Sequence, residues 1–294
     1  MVLVAFGVLA VAGCGSGTTA AKKPPPPNAT PSTTAPTTVP APALRVGVVG
    51  PLTVKAPSAV VERGPLGRVA GNALVLVSAA TVGPQELAAF AEAHPASRFA
   101  LIGASTKGFR RPNLVGVRFR EDQAALLAGS VAGLTARAAS PNAPSVAWVG
   151  SREPALVRAF VRGVQSTAPG AVVLREWSRD APLYCKEAAI AAIQGGALVV
   201  AAHDGLCAEG AANAAHEQGE AAVAVSSFEL PGVAAGLIVK EALAGVHYGG
   251  EDLILGAASG AIGVGRLDPA IPPSVVVQAH IAAQQLAVGG GASG

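Results

Sequence analysis

The residues of this chain that are best able to do chemistry are a histidine and an aspartate near a cysteine. His203 and Asp204 are adjacent, and Cys207 follows shortly after them. A His–Asp pair can serve in acid–base catalysis, but it more often lines a binding cleft or begins a helix. The other histidines are scattered without metal-ligand spacing, and the motifs GxSxG, GxxxxGK[ST] and HExxH are absent. We therefore predict no enzyme, no cofactor and no metal site.

The first residues resemble the signal peptide of a bacterial lipoprotein. An apolar run from Val2 to Ala10 precedes Val11-Ala12-Gly13-Cys14, which matches a lipobox. The run is shorter than the roughly 20 residues that span a bilayer. The resemblance implies that residues 1–13 are removed and that lipidated Cys14 anchors the protein to the outer face of the cell membrane. The alternative is a buried N-terminal strand with an incidental cysteine.

Residues 15–43 differ in composition from the rest of the chain. They consist almost entirely of Gly, Ser, Thr, Ala and Pro, and they contain Lys22 and Lys23. Such a segment has little apolar side-chain area to bury, so residues 14–43 are predicted to form a disordered, semi-stiff spacer. The formal net charge of +3 falls to about +1 without the two lysines. A folded part with so little net charge is not expected to bind nucleic acid.

Two cysteines remain beyond the predicted anchor. Cys185 and Cys207 form an even pair, and a location outside the cytoplasm would be oxidising. We predict a disulfide between them. Two free buried thiols are the alternative, and the spacing does not suit zinc.

The rest of the chain alternates short apolar runs with longer amphipathic ones, a pattern that predicts parallel strands covered by helices. The predicted strands are residues 44–49, 73–78, 98–103, 114–118, 145–150, 171–177, 197–202 and 221–226. The predicted helices are residues 84–93, 121–138, 153–168, 186–194 and 208–218.

These strands are too many for one small sheet, so we predict an α/β fold with two Rossmann-like lobes. Residues 138–144 are interpreted as a crossover between the lobes, and residues 226–232 as the return. The N-terminal lobe then comprises residues 44–137 with about 229–255. The C-terminal lobe comprises residues 138–228 with about 256–294.

One block of sequence carries a resemblance to a known family. Phe119, Leu127-Ala128-Gly129 and Ala132-Gly133 match a pattern of the basic membrane lipoprotein family, which includes receptors for purine nucleosides. Weaker similarity extends over roughly residues 90–290. The resemblance implies the type I fold of periplasmic binding proteins. It also implies that a small polar ligand lies between the lobes and is passed to an ABC permease. Nucleosides are one class of ligand that the resemblance suggests.

Ligands of such folds bind where the parallel strands end, next to helix N-termini. The turns after the predicted strands therefore supply the candidate ligand-binding residues. They are Gly50, Ser78, Ser105, Ser151, Arg152, Asp180, His203, Asp204, Ser226 and Phe228. Phe228 is a candidate for stacking on a flat ring.

The chain also departs from the family. Residues 51–58 are short and hold neither an acid nor an aromatic residue, so the first helix is expected to be reduced or lost. Family carboxylates align with Gly103 and with Ser226-Ser227-Phe228. Two hypotheses follow: a lipid-anchored solute-binding protein, or a lipoprotein with the same fold that has become an envelope sensor or a protein partner.

Overall fold

Two sets of parallel strands organise residues 43–203 and 205–289, the part of the chain described by the computed structural model. The strands are β1 (Leu44–Val49), β2 (Ala59–Arg63), β3 (Leu74–Ser78), β4 (Arg98–Ile102), β5 (Leu114–Phe119), β6 (Ser145–Gly150), β7 (Val172–Trp177), β8 (Val199–Ala202), β9 (Ala221–Ala224) and β10 (Asp252–Leu255). The helices are α1 (Leu66–Val69), α2 (Pro84–Ala93), α3 (Glu121–Ala139), α4 (Pro154–Thr167), α5 (Pro182–Gln194), α6 (Gly205–Gln218), α7 (Pro231–Leu243) and α8 (Pro273–Gly289). The predicted α/β class with parallel sheets is confirmed.

The first sheet has the strand order β10-β5-β4-β3-β1-β2, and the second has the order β7-β6-β8-β9. All neighbouring strands in the two sheets are parallel, for example β1 and β3, where Val46 pairs with Leu74, and β6 and β8, where Val146 pairs with Val199. All five residues of β3 are buried. Helices cover both faces of a parallel sheet, and this explains why its strands are continuous apolar runs in the sequence.

The connection from β1 to β2 contains no helix. Residues 50–58 lie between the two strands, and β2 pairs directly with β1 at the edge of the first sheet. Parallel neighbours are usually joined by a longer crossover that includes a helix. The expected loss of the first helix is therefore seen, although β2 itself was not among the predicted strands.

Helix α3 packs mainly on the second sheet. It contacts β6, β8 and β9, and it lies along α4 and α8. The predicted N-terminal lobe, which begins with residues 44–137, includes most of this helix. Its packing favours a first change of lobe at Arg120, before the helix, and not at residues 138–144. The lobe boundaries otherwise stay a prediction.

Several elements begin or end at residues other than those predicted. Helix α5 begins at Pro182, four residues before the predicted start, because proline suits the first position of a helix. Strand β9 ends at Ala224, and Val225–Phe228 forms a 3-10 turn. In the described part of the chain, no helix combines the length and apolarity needed to cross a bilayer.

Candidate functional site

A polar cavity lies at the carboxyl edge of the second sheet. Its volume is about 260 Å³. It is lined by residues that follow β6, β7 and β8 and by the first turn of α6: Gly150, Ser151, Ser178, Asp180, His203 and Cys207. Parallel strands all end at the same edge, so residues far apart in sequence meet there. The structure thus brings together three of the predicted ligand-binding residues, Ser151, Asp180 and His203.

Gly150 shapes the wall of this cavity at the end of β6. Its φ of +100° lies in the left-handed region, which favours glycine. A Cβ atom at this position would lie 2.6 Å from Cys207 Sγ. The glycine therefore allows β6 to turn sharply while the cysteine packs against its backbone.

Cys207 also fixes the carboxylate of Asp180. The backbone N–H of Cys207 donates a hydrogen bond to Asp180 Oδ1 over 3.0 Å. Cys185 and Cys207 are joined as a disulfide, with their Cα atoms 5.1 Å apart, and this supports the predicted pairing. The disulfide ties the first turns of α5 and α6 together. Asp180 precedes α5 directly, so it is held at the cavity from two sides.

His203 connects the cavity to the start of α3. Its Nε2 atom lies 3.4 Å from Glu121 Oε2, and its backbone carbonyl accepts a hydrogen bond from Val225 N over 2.9 Å. Glu121 comes immediately after the residue at which the chain leaves β5. We did not predict Glu121, because its role depends on α3 packing against the second sheet. The feature of the sequence that points to Glu121 is its position at the start of the helix that follows β5.

The predicted residues of the first sheet have other roles. Ser78 is buried, and a Cβ atom at Gly50 would lie 2.9 Å from the Cβ atom of Ser78. Ser105 donates a hydrogen bond to the carboxylate of Asp252, and Thr106 N donates another over 2.9 Å. Ser78 is thus packed inside the first sheet, and the Ser105 hydroxyl holds the start of β10.

The hydrogen bonds to Asp252 also affect its acidity. Burial by itself would raise the pKa of this carboxyl group. The hydrogen bonds from Ser105 and Thr106 outweigh burial and lower the pKa below its ordinary value.

Other predicted residues lie outside the cavity. Phe228 is fully buried in the core, so the predicted stacking of its ring on a ligand is wrong. Ser226 is exposed, and only its backbone approaches His203, over 3.4 Å. Arg152 lines a different cavity, where its guanidinium lies 5.8 Å from the centre of the Trp177 ring. Asp204 and Cys14 are outside the described residues.

No metal centre is found in the described residues. Within 43–203 and 205–289, no three His, Cys, Asp or Glu side chains are grouped so that they could hold an ion. The cavity instead offers hydroxyl, imidazole and carboxylate groups. Asp180 accepts one hydrogen bond in the structure, and a carboxylate can accept several. Such a lining suits a small polar molecule with hydroxyl or amino donors.

Similarity to known proteins lies in the fold and not in the sequence. No family model matches the chain, and no curated protein matches it. An ABC transporter solute-binding protein from Conexibacter woesei DSM 14684 has 17% identity and a TM-score of 0.59, over 84% of this chain and 97% of that one. One from Aeropyrum pernix K1 has 19% identity and a TM-score of 0.52, over 84% and 92%.

A transcriptional activator of the comK gene from Bacillus halodurans has a comparable likeness. It shows 13% identity and a TM-score of 0.55, over 84% of this chain and 98% of that one. Proteins so different in sequence share a fold without sharing a role. Membership of the basic membrane lipoprotein family stays a prediction, while the chain has the fold of ABC transporter solute-binding proteins.

Proposed function

We propose that this chain is the solute-binding component of an ABC-type uptake system. The observation that carries the proposal is the convergence of Ser151, Asp180 and His203 on one cavity at the carboxyl edge of the second sheet. The likeness in fold to two ABC transporter solute-binding proteins supports it. No catalytic reaction is part of the proposal.

The proposed ligand is a small polar molecule that donates hydrogen bonds. Asp180 accepts from a hydroxyl or amino group, and His203 and the serine hydroxyl groups complete its orientation. Nucleosides are within this class. However, Phe228 is buried and does not supply a stacking surface for a base. Sugars and amino acids therefore deserve equal weight in a ligand screen.

Binding is proposed to act by closing the two lobes. A ligand that contacts both lobes stabilises the closed state by its higher affinity for that state. Glu121 lies next to Arg120, where the packing of α3 favours the first change of lobe, and its carboxylate is 3.4 Å from His203 Nε2. A ligand that contacts His203 thereby acts directly beside the segment that bends.

The anchor and the permease are further parts of the proposal. The lipobox ending at Cys14 supports lipid attachment on the outer face of the membrane, and residues 15–43 are proposed as the spacer that separates anchor and binding domain. The partner would be an ABC permease that receives the ligand. Incorporation of a labelled fatty acid, with Cys14→Ser as the control, tests the attachment.

The first experiment is a thermal-shift screen of the purified protein against nucleosides, bases, sugars, amino acids and short peptides. A ligand at 100 times its dissociation constant stabilises the folded state by about 2.7 kcal/mol. Asp180→Asn should abolish the shift. Glu187→Gln removes an exposed carboxylate of α5 that does not line the cavity, so it should keep the shift.

An envelope sensor or protein partner is the second candidate. It is favoured by the first sheet, where Ser78 is buried and the Ser105 hydroxyl already donates to the carboxylate of Asp252. This candidate predicts that the well-folded protein shows no shift with any compound of the screen. A selective hit that depends on Asp180 would rule it out as the main role.

A further inference from the structure

A second and larger cavity lies outside the proposed solute site. It is a groove of about 670 Å³ between α4 and the edge strand β7. We call it the arginine groove. Its lining residues are Asp122, Arg152, Pro154, Ala155, Val157, Arg158, Val161, Arg162, Arg175 and Trp177. None of them lines the polar cavity that holds Asp180 and His203. The two cavities are neighbours at the ends of β6 and β7, where Gly150 pairs with Trp177, and their linings do not overlap.

The groove carries a marked excess of positive charge. Four arginines line it, all of them exposed, and the lining holds a single acid. That acid, Asp122, is already paired with Arg120, which donates two hydrogen bonds of 2.9 Å to its carboxylate. This ion pair neutralises the negative charge of Asp122. The arginine groove is thus left with four cations and no available anion of its own.

The four arginines also make no ion pairs with the residues that the structure describes. Among the described residues, no carboxylate lies within 4.0 Å of the guanidinium groups of Arg152, Arg158, Arg162 or Arg175. Elsewhere in the described part of the chain, arginines do pair with acids, as Arg111 does with Glu92. A cluster of like charges repels itself, so a bound anion would relieve that repulsion.

Helix α4 and strand β7 place these arginines on the surfaces that line the arginine groove. Arg158 and Arg162 are one turn apart on α4, so they lie on the same face of that helix. Arg175 and Trp177 are two residues apart on β7, so they lie on the same face of that strand. Guanidinium groups bind phosphate and carboxylate through paired hydrogen bonds, which gives such a cluster a preference for these anions.

The groove also has a flat and apolar part. The Trp177 side chain is 40% exposed, and Arg152 lies over its ring. Val157 and Val161 of α4 form an apolar floor. An exposed indole beside aliphatic side chains is a surface on which a planar ring can stack. The volume lies within the range of 300 to 1,000 Å³ that is usual for small-molecule sites.

We propose that the arginine groove binds a small molecule in which a planar ring is linked to several phosphate or carboxylate groups. The arginines hold the anionic part and Trp177 holds the ring. The same phosphate chemistry occurs in lipid headgroups, but a headgroup lacks the planar body that Trp177 favours. The inference does not depend on the proposed solute site, because the two cavities share no lining residue.

The test is isothermal titration calorimetry of the purified protein with ATP in the presence of a metal chelator. Adenosine and tripolyphosphate are titrated in parallel, since each keeps one half of the probe. We expect ATP to bind more tightly than either half and its affinity to fall at high salt. Equal binding of ATP and adenosine, or no binding of ATP, would overturn the proposal.

Variants locate the binding. Arg158→Gln with Arg162→Gln should weaken ATP binding by about tenfold or more, and Trp177→Leu should weaken ATP but not tripolyphosphate. Arg110→Gln with Arg137→Gln removes the same charge from residues that do not line the groove. Equal losses in both double variants would show non-specific attraction and contradict the proposal. Circular dichroism checks that each variant is folded.

Two further comparisons separate the alternatives. Asp180→Asn should leave ATP binding unchanged, so a failure of the solute site does not affect this test. Sedimentation with phosphatidylglycerol vesicles tests the lipid headgroup as the source of phosphate. Vesicle binding that is lost with Arg158→Gln and Arg162→Gln, in a protein that does not bind ATP, would replace the proposed ligand by a membrane lipid.

Discussion

Gly163 of α4 lies directly against Gly129 of α3, where a Cβ atom on Gly163 would be 3.0 Å from the carbonyl carbon of Gly129. The two helices therefore touch through their backbones. Gly133 makes a second close approach, since its Cβ position lies 2.9 Å from Val164 O. The glycines of the block that resembles the basic membrane lipoprotein family thus have a packing role in this chain.

Gly163→Ala should force α3 and α4 apart. The added methyl group meets backbone atoms, which cannot move aside as a side chain can, so we expect a loss of about 2 kcal/mol in the free energy of unfolding. Urea denaturation measures it. Gly236→Ala on α7 is the matched control, because nothing lies within 4 Å of its Cβ position. That variant should be as stable as the parent or up to about 1 kcal/mol more stable. Equal effects of the two variants would contradict the packing argument.

Gly150→Ala should disturb the proposed solute cavity. The substitution combines an unfavourable positive φ with a contact of 2.6 Å to Cys207 Sγ, and we expect a loss of about 2 to 3 kcal/mol. Gly170→Ala also has a positive φ, of +83°, but nothing lies within 4 Å of its Cβ position. This control should lose only about 1 kcal/mol. Thermal unfolding compares them, and a larger effect at Gly170 would show that crowding at Cys207 is unimportant.

Replacing both Cys185 and Cys207 by serine should lower stability. The disulfide closes a loop with a sequence separation of 22, for which the chain-entropy model gives about 3 kcal/mol. Reduced parent protein should show a similar loss in thermal unfolding. Titration of free thiols in the denatured, unreduced protein distinguishes the alternative. Two reactive thiols per chain, beyond any at Cys14, would mean that the bond does not form.

Asp268→Asn should reduce stability in a pH-dependent way. Burial would raise the pKa of Asp268, but hydrogen bonds from Ala270 N, His216 and Ala222 N outweigh it and lower the pKa below its ordinary value of 3.8. A lowered pKa in the folded state means that the ionised group stabilises the fold above the unfolded value. That contribution is lost as the pH falls through the folded-state pKa.

We therefore expect Asp268→Asn to cost about 1 to 3 kcal/mol at neutral pH and progressively less below pH 3.8. Urea denaturation at a series of pH values measures the difference. Glu220→Gln is a control of opposite sign, because burial raises the pKa of Glu220. Its carboxylate is disfavoured in the folded state, so this variant should not lose stability at neutral pH. A pH-independent loss in Asp268→Asn would contradict the assignment.

Local patterns in the sequence are enough to predict the class of fold and the sheet edge at which the candidate site lies. Apolar runs alternating with amphipathic helices are local patterns, and they follow from the covering of parallel sheets on both faces. Ser151, Asp180 and His203 were found in this way, because each follows a strand and parallel strands end together. The reduced connection after β1 was equally visible, since residues 51–58 lack the pattern of a helix.

Which of these turns hold groups that a ligand can reach depends on contacts between segments that are distant in the sequence. Ser105 is bound by Asp252, which is 147 residues away in the chain, and no local pattern records that pairing. Phe228 faces the core because the turn after β9 is a 3-10 helix and not a continued strand. The close packing of α3 against α4 likewise depends on glycine contacts between the two helices. Contacts between distant segments depend on side-chain shape and packing, which hydrophobic periodicity does not encode.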